Sequence, residues 1–411
     1  MSNHDPYAAL RIRDYRFFMF ARICITIAIQ IQATIVGWQI YKITGDKLSL
    51  GLIGLAEAIP AISVSLYAGH VADSMDRRRI IVLTVWILVF CSAALFFFTL
   101  EPGSPILRAG VYPIYSVIFL SGIARGFLSP ANFAFMPQLV PRTLYANAVT
   151  LNSTFWEACT IGGPIFAGLI LGAWGISTAY SVDLVLMIAG LLFYYSVPRK
   201  PLPVVSSEQG VIEKIKSGLK FVFSNQIILS AITLDLFAVL FGGAVALLPV
   251  FALEILHVDS VGFGFLRAAP GIGAVTTAMI MTHYPIRKNI GYILLYSVAG
   301  FGVCMIIFGL SSHFWLSIFV LMMSGCFDSV SVIVRGTLIH TLTPENMKGR
   351  VSAVNSIFVG SSNEIGAFES GSTAKLFGTV ASVVMGGTMT LLVVAITAWK
   401  ATKLRALQRV E

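Results

Sequence analysis

A chain of 411 residues that is 57% hydrophobic and only 11% charged is not a soluble globule, since soluble domains carry about 25% charged residues. Its net charge of +9 could suit nucleic acid or anionic lipid, but the basic residues cluster where long apolar runs end, so membrane topology accounts for them and no nucleic-acid partner is expected. Cys24, Cys91, Cys159, Cys304 and Cys326 all lie in apolar runs without a Cys-x-x-Cys, and no two histidines stand four apart. Neither a disulfide framework nor a metal site is expected. With no nucleophile–base set and no nucleotide-binding glycine loop, the chain reads as no enzyme, and no cofactor is expected.

About twelve runs reach the roughly 20 apolar residues that a bilayer crossing needs: 17–41, 50–72, 80–100, 111–136, 144–172, 176–197, 226–253, 259–283, 289–310, 313–337, 348–375 and 379–399. The first follows Arg11, Arg13 and Arg16, as a signal peptide would. It contains Gln30 and Gln32 and no small-residue cleavage site follows it, so it reads as a retained span. Pro60, Pro130, Pro164, Pro249 and Pro270 lie inside runs, where neighbouring helices re-satisfy the freed carbonyls.

Between the second and third runs lies a charged hinge, Gly69-His70-Val71-Ala72-Asp73-Ser74-Met75-Asp76-Arg77-Arg78-Arg79. Gly69 permits close helix approach. An aspartate and an arginine cluster at a membrane boundary can pair with each other or cap a facing helix end. After the sixth run the composition turns to proline, serine and basic residues. Val211–Phe223 then shows apolar residues at 211, 212, 215, 219, 222 and 223 with Glu213 and lysines opposite, the pattern of an amphipathic helix on a membrane surface. The expected organisation is a six-helix bundle over 1–197, a cytoplasmic linker over 198–225 and a second six-helix bundle over 226–411.

Counting Lys and Arg with both termini on one side puts 20 on that side, 4 opposite and 4 (Arg22, Arg125, Arg267, Arg335) inside runs, which accounts for all 28. The positive-inside rule then makes both termini cytoplasmic. The halves also repeat weakly. Pro141–Ser153 aligns with Pro344–Ser356 at an offset of 203, and Gly54, Glu57, Ala58, Pro60 and Ile62 align with Gly264, Arg267, Ala268, Pro270 and Ile272 at 210. Two parallel six-helix repeats are a transporter arrangement.

In-span charges are costly, about 2.5–3.5 kcal/mol each, and face protein or a wet cavity. By the repeat, Arg125 aligns with Asp328 and Glu57 with Arg267, opposite charges at equivalent positions. Helical spacing groups Arg125, Ser129 and Asn132; Asp328, Ser331 and Arg335; Asn147, Thr150, Thr154 and Glu157; and Thr26, Gln30 and Thr34. Gln30, Arg125, Asn132, Glu157, Asp235, Asp328 and Arg335 are therefore the candidates for a central cavity. Glu57 and Arg267, nearer the outer surface, are candidates for an outer gate. A carboxylate in a low-dielectric cavity can load and release a proton; Asp328 and Asp235 come first, then Glu157.

The ordered spacing of Gly69, Asp73, Arg77 and Arg78 resembles the loop between helices 2 and 3 of the major facilitator superfamily, and the likeness extends over essentially the whole chain. Gly163-Pro164-Ile165-Phe166-Ala167-Gly168 resembles the end of that superfamily's antiporter motif, with Ala167 in place of a glycine. Leu10–Phe18 and Thr343–Val351 resemble its bacterial branch of drug and siderophore exporters. The resemblance implies an all-α membrane fold of about 12 transmembrane helices in two pseudo-symmetric six-helix bundles. It implies that Gly69, Asp73, Arg77 and Arg78 lock the cytoplasmic side, and that Gly163, Pro164 and Gly168 bend an exporter's helix. The expected function is proton-coupled export of a small amphipathic molecule, drug-like compound or siderophore, by a monomer in the bacterial inner membrane. The alternatives are a lysophospholipid flippase of the same fold and a non-transporting receptor derived from it.

Overall fold

Three side chains start helices where the sequence changes character. Asp76 accepts from the Arg78 backbone N–H at 3.0 Å and opens α3 (Arg77–Phe97). Asn225 accepts from Ile227 and Ile228 and opens α7 (Gln226–Phe241). Asp259 accepts from Gly262 at 2.9 Å and opens α8 (Ser260–His283). Each cap satisfies orphan donors of a first turn and contributes about 1 kcal/mol. Glycines end helices: Gly378, at φ 93°, separates α11 (Lys348–Phe377) from α12 (Thr379–Lys400).

The computed structural model describes residues 7–100, 109–200, 211–284, 286, 288–344 and 347–407. The remaining long helices are α1 (Arg13–Thr44), α2 (Lys47–Ser74), α4 (Tyr112–Phe135), α5 (Tyr145–Ser196), α6 (Val211–Ser224), α9 (Ile290–Leu310) and α10 (Phe314–Leu342). No strand occurs among the described residues. Ten helices there are long and apolar enough to cross a membrane. One of them is α5, which holds two spans joined at Gly175, φ 80°. The more polar α11 is not among the ten; with it, and with α5 counted twice, the expected twelve are present. The seventh span is broken. Its α7 ends at Gly242, and a 3₁₀ turn, a short α turn and a π turn carry the chain on to Ile255.

By packing the chain forms two units, residues 1–43 with 56–207 and residues 44–55 with 208–411. In the first, α3 packs on α4 and α5, around Phe18, Leu88, Phe135, Met187 and Tyr194. In the second, α8 packs on α10, α9 on α10 and α12, and α11 on α6, α7 and α12. The start of α2 belongs here: Gly51 and Gly54 lie against Ala367 of α11, and Asp46 pairs with Lys375 at 3.2 Å. The amphipathic α6 is not simply laid on a membrane surface. Val222 and Leu219 pack with Val351 and Val354 of α11, and the Arg350 guanidinium donates to the Ser217 hydroxyl at 2.9 Å. Leu219 and Val222 are covered because α11 brings Val351 and Val354 beside them, while Phe223 on the same face stays exposed.

Candidate functional site

The second unit contains a recess lined by Asp235, Ala238, Val239, Val298, Phe301, Phe327, Asp328 and Ser331. The recess has room for about one water, enough to hydrate a carboxylate among its mixed apolar and polar lining. Asp235 of α7 and Arg335 of α10, 4% and 5% exposed, form an ion pair. Ser331, one turn before Arg335, has a buried hydroxyl without a hydrogen-bond partner. Asp328 is half-buried in the same recess. No ion pair or side-chain hydrogen bond engages its carboxylate among the described residues. The structure thus brings Asp235, Asp328 and Arg335 together and separates their states, one acid locked to an arginine and one open to the recess.

In the first unit Arg125 of α4 pairs with Glu57 of α2. Gly122 makes this pair possible, because a Cβ there would stand 2.6 Å from the Glu57 carbonyl and 2.8 Å from the Pro60 ring. The sequence reading matched Arg125 with Asp328 and Glu57 with Arg267 by repeat position; the partner that the structure gives Arg125 lies inside its own unit. Arg267 is half-buried on α8. The pair is 32% and 19% exposed at its side chains, between the surface regime and the buried one, so Glu57→Gln or Arg125→Gln is expected to cost about 1–2 kcal/mol. Exchanging the two charges (Glu57→Arg with Arg125→Glu) should restore most of that loss in thermal unfolding of detergent-solubilised protein. Single losses that simply add would show the two residues to be uncoupled.

The other first-unit candidates have mixed surroundings. The Asn132 carbonyl oxygen accepts from the Tyr194 hydroxyl at 2.6 Å in a buried bond between α4 and α5. Gln30 of α1 touches Gly163 of α5, where any side chain would collide with it. Pro164 and Gly168 are buried on the same helix. Glu157 is half-buried, and its carboxylate has no ion pair among the described residues. Asn147, read with Glu157 as one polar stripe, accepts from the Ala9 backbone N–H at 3.0 Å.

At the hinge, Gly69 and Asp73 lie on α2, and their side chains are outside the described residues. Arg77 donates to the Ala134 carbonyl at 2.9 Å, one residue before α4 ends. Arg78 donates to the Tyr195 carbonyl at 2.9 Å near the end of α5 and lies 5.8 Å from the Tyr195 ring centroid. A guanidinium at a helix C-terminus satisfies orphan carbonyls and meets the negative end of the macrodipole. Asp76 caps α3 and stands 3.8 Å from Arg199.

Two charged residues with unusual surroundings were not singled out as site candidates. Asp183 of α5 is fully buried, with the Ser92 hydroxyl of α3 beside its carboxylate and no ion pair to it among the described residues. Arg22 of α1 stands in a second recess beside Asn152 and Trp156. Both are charges inside apolar runs of the sequence; the signal that ranks them, the lack of a counter-ion among the described residues, exists only in three dimensions.

Twelve membrane-crossing segments among the described residues, with buried charges inside them, are the architecture of a multi-pass membrane transporter, and the family match agrees. Residues 4–411 match the family described as transmembrane secretion effector, and the chain belongs to that family of the major facilitator superfamily. It is similar to the enterobactin exporter EntS of Citrobacter koseri, 24% identical over 385 residues that cover 91% of this chain and 88% of the relative. The same protein of Shigella boydii serotype 18 is also 24% identical, with the same coverage. Among solved structures, a bacterial homologue of the iron transporter ferroportin aligns with TM-score 0.73 at 13% identity, over 97% of this chain and 99% of that one. The xylose transporter XylE of E. coli aligns with TM-score 0.68 at 15% identity, over 98% and 100%. At such identities the structural likeness establishes the fold.

Proposed function

We propose that this protein is a proton-coupled exporter of small amphipathic molecules of the siderophore class, working by alternating access in the bacterial inner membrane. The export direction and the siderophore class come from relatives named for enterobactin export, together with the Gly163-Pro164 step. In this reading the two halves of the chain, 1–197 and 226–411, rock about a central site as a monomer, with both termini cytoplasmic and 198–225 as linker. Gly69, Asp73, Arg77 and Arg78 form the cytoplasmic gate, and Glu57 and Arg267 belong to the outer one.

The observation that carries the coupling assignment is the difference between two acids of one recess. Asp235 is held by Arg335, and an acid permanently paired with arginine is a poor proton carrier. Asp328 lines the recess with no such partner among the described residues, so it is free to load and release a proton as water access alternates. In reconstituted vesicles, Asp328→Asn is expected to lower pH-gradient-driven substrate movement at least about tenfold while leaving gradient-independent exchange of labelled substrate intact. Full gradient-driven transport by Asp328→Asn would remove the proton from this site.

A further inference from the structure

At the membrane boundary where α3 begins and α5 ends, arginines outnumber acids and face outward. Arg79 is exposed, and no carboxylate pairs with it among the described residues. The Arg199 side chain is 76% exposed and stands 3.8 Å from Asp76, which lies one helical turn before Arg79 and already caps α3. Asp76 therefore offsets at most one of these two guanidiniums. Arg78, turned onto Tyr195, adds a third positive charge beside them.

Deeper along the same two helices, a pair of aromatic side chains is tied together. The Trp86 indole N–H of α3 donates to the Tyr195 hydroxyl of α5 at 2.9 Å, and both side chains are half-exposed. Tyr195 is thus held from α3 at its ring, by Arg78, and at its oxygen, by Trp86. The hydroxyl accepts in that bond, so its own proton is left to donate, and no acceptor takes it among the described residues. Beyond this pair the surface is apolar. Leu83 and Phe90 share one face of α3 with Arg79 and Trp86, since positions 79, 83, 86 and 90 keep helical spacing over about 16 Å. Leu192 lies one turn before Tyr195 on α5. Leu83, Phe90 and Leu192 are all exposed.

We infer that Arg79, Arg199, Trp86 and Tyr195 form a binding site for one anionic phospholipid. Its phosphate sits between the two guanidiniums, a glycerol-ester oxygen accepts from the Tyr195 hydroxyl, and an acyl chain lies along Leu83, Phe90 and Leu192. The layers run from cationic through hydrogen-bonding to apolar, which is the order of groups along a phospholipid; a soluble anion would use only the first. The surplus of positive charge selects an anionic headgroup, because the ammonium of a zwitterionic one would meet the same arginines that hold its phosphate. Aromatic residues are common at membrane boundaries, but here a hydrogen bond fixes two of them beneath a pair of outward arginines. The inference does not depend on the exporter reading, since it concerns the surface that meets the bilayer and not the transport path.

The test reconstitutes the purified full-length protein in mixed vesicles of phosphatidylcholine and phosphatidylglycerol, with brominated chains carried on one lipid or the other. Bromine quenches a tryptophan that its chain touches, and the quenching lost in Trp86→Phe reports the lipid beside Trp86. That component is expected to prefer phosphatidylglycerol over phosphatidylcholine at least about fivefold, the gain that one basic residue near an anionic lipid supplies. Brominated phosphatidylethanolamine should show no such preference. Arg79→Gln with Arg199→Gln should bring the preference to about unity, and Arg79→Lys should retain most of it. Arg142→Gln, at an exposed arginine between α4 and α5, should leave it unchanged, as should excess inorganic phosphate. Equal quenching by the two lipids in the wild type, or an undiminished preference in the double variant, would overturn the site. An equal fall with Arg142→Gln would show a general attraction of the basic surface in its place, and displacement by phosphate would replace the lipid with a free anion.

Discussion

Replacing Arg335 with leucine is expected to destabilise the second unit by about 3–5 kcal/mol, because Asp235 would be left as a buried charge with no counterion. Both residues are at most 5% exposed, so water cannot take over the lost interaction. Asp235→Asn alone should cost less, since it removes a charge and keeps a hydrogen-bonding group beside the arginine. Removing both charges with Asp235→Leu and Arg335→Met should recover most of the loss, because a buried pair repays little more than its own desolvation. The contrast lies in the same unit: Asp46 and Lys375, 35% and 50% exposed at their side chains, should contribute less than about 1 kcal/mol. Thermal unfolding of detergent-solubilised protein, read as the fraction still monodisperse, separates these cases. An Arg335→Leu protein that melts with the wild type would show that the pair does not hold α7 to α10.

Apolar runs and their ends were legible because a bilayer crossing imposes length and composition directly on the sequence. The run 289–310 and α9 (Ile290–Leu310) differ by one residue, and the split between 172 and 176 marks the place where Gly175 breaks α5. The hinge arginines were legible as boundary residues, and capping a facing helix end, one of the two roles open to such a cluster, is seen at both Arg77 and Arg78. Partners were not legible. Repeat position aligned Arg125 with Asp328, but which side chain an arginine meets depends on how neighbouring helices are rotated and how deeply they interlock. Gly122 sets α4 against α2 at Glu57, and that small-residue contact carries no charge signal. The same limit hid Arg22 and Asp183, whose surroundings depend on helix rotation that a hydropathy pattern does not contain. The cap at Asp76 had a readable signal, an aspartate directly before a helix-forming run, overshadowed by Asp73 three residues earlier.

Substituting Gly325 should have the largest effect of any single change in the α8–α10 pair. A Cβ on Gly325 of α10 would collide with the Pro270 carbonyl of α8, and one on Gly273 of α8 would collide with the Met322 carbonyl of α10. The contact is reciprocal and backbone to backbone, so no side chain can rotate away. Small residues are what let membrane helices approach this closely. At the same crossing the Cys326 thiol donates to the Gly273 carbonyl and the Ser329 hydroxyl to the Ala274 carbonyl, at 3.3 and 3.2 Å, bonds that require the same closeness. Gly325→Val is therefore expected to cost about 3 kcal/mol or more and to leave little folded protein in the membrane fraction; Gly325→Ala should lower the melting temperature by several degrees. Gly336→Ala, on the same helix with nothing within 4 Å of the added Cβ, should do the opposite and stabilise by about 0.5–1 kcal/mol through helix propensity. Wild-type stability in Gly325→Ala would show that the two helices can separate freely. That outcome would also bear on function, because Asp328 lies less than one turn beyond Gly325, and the recess it lines is only as fixed as the helix that carries it.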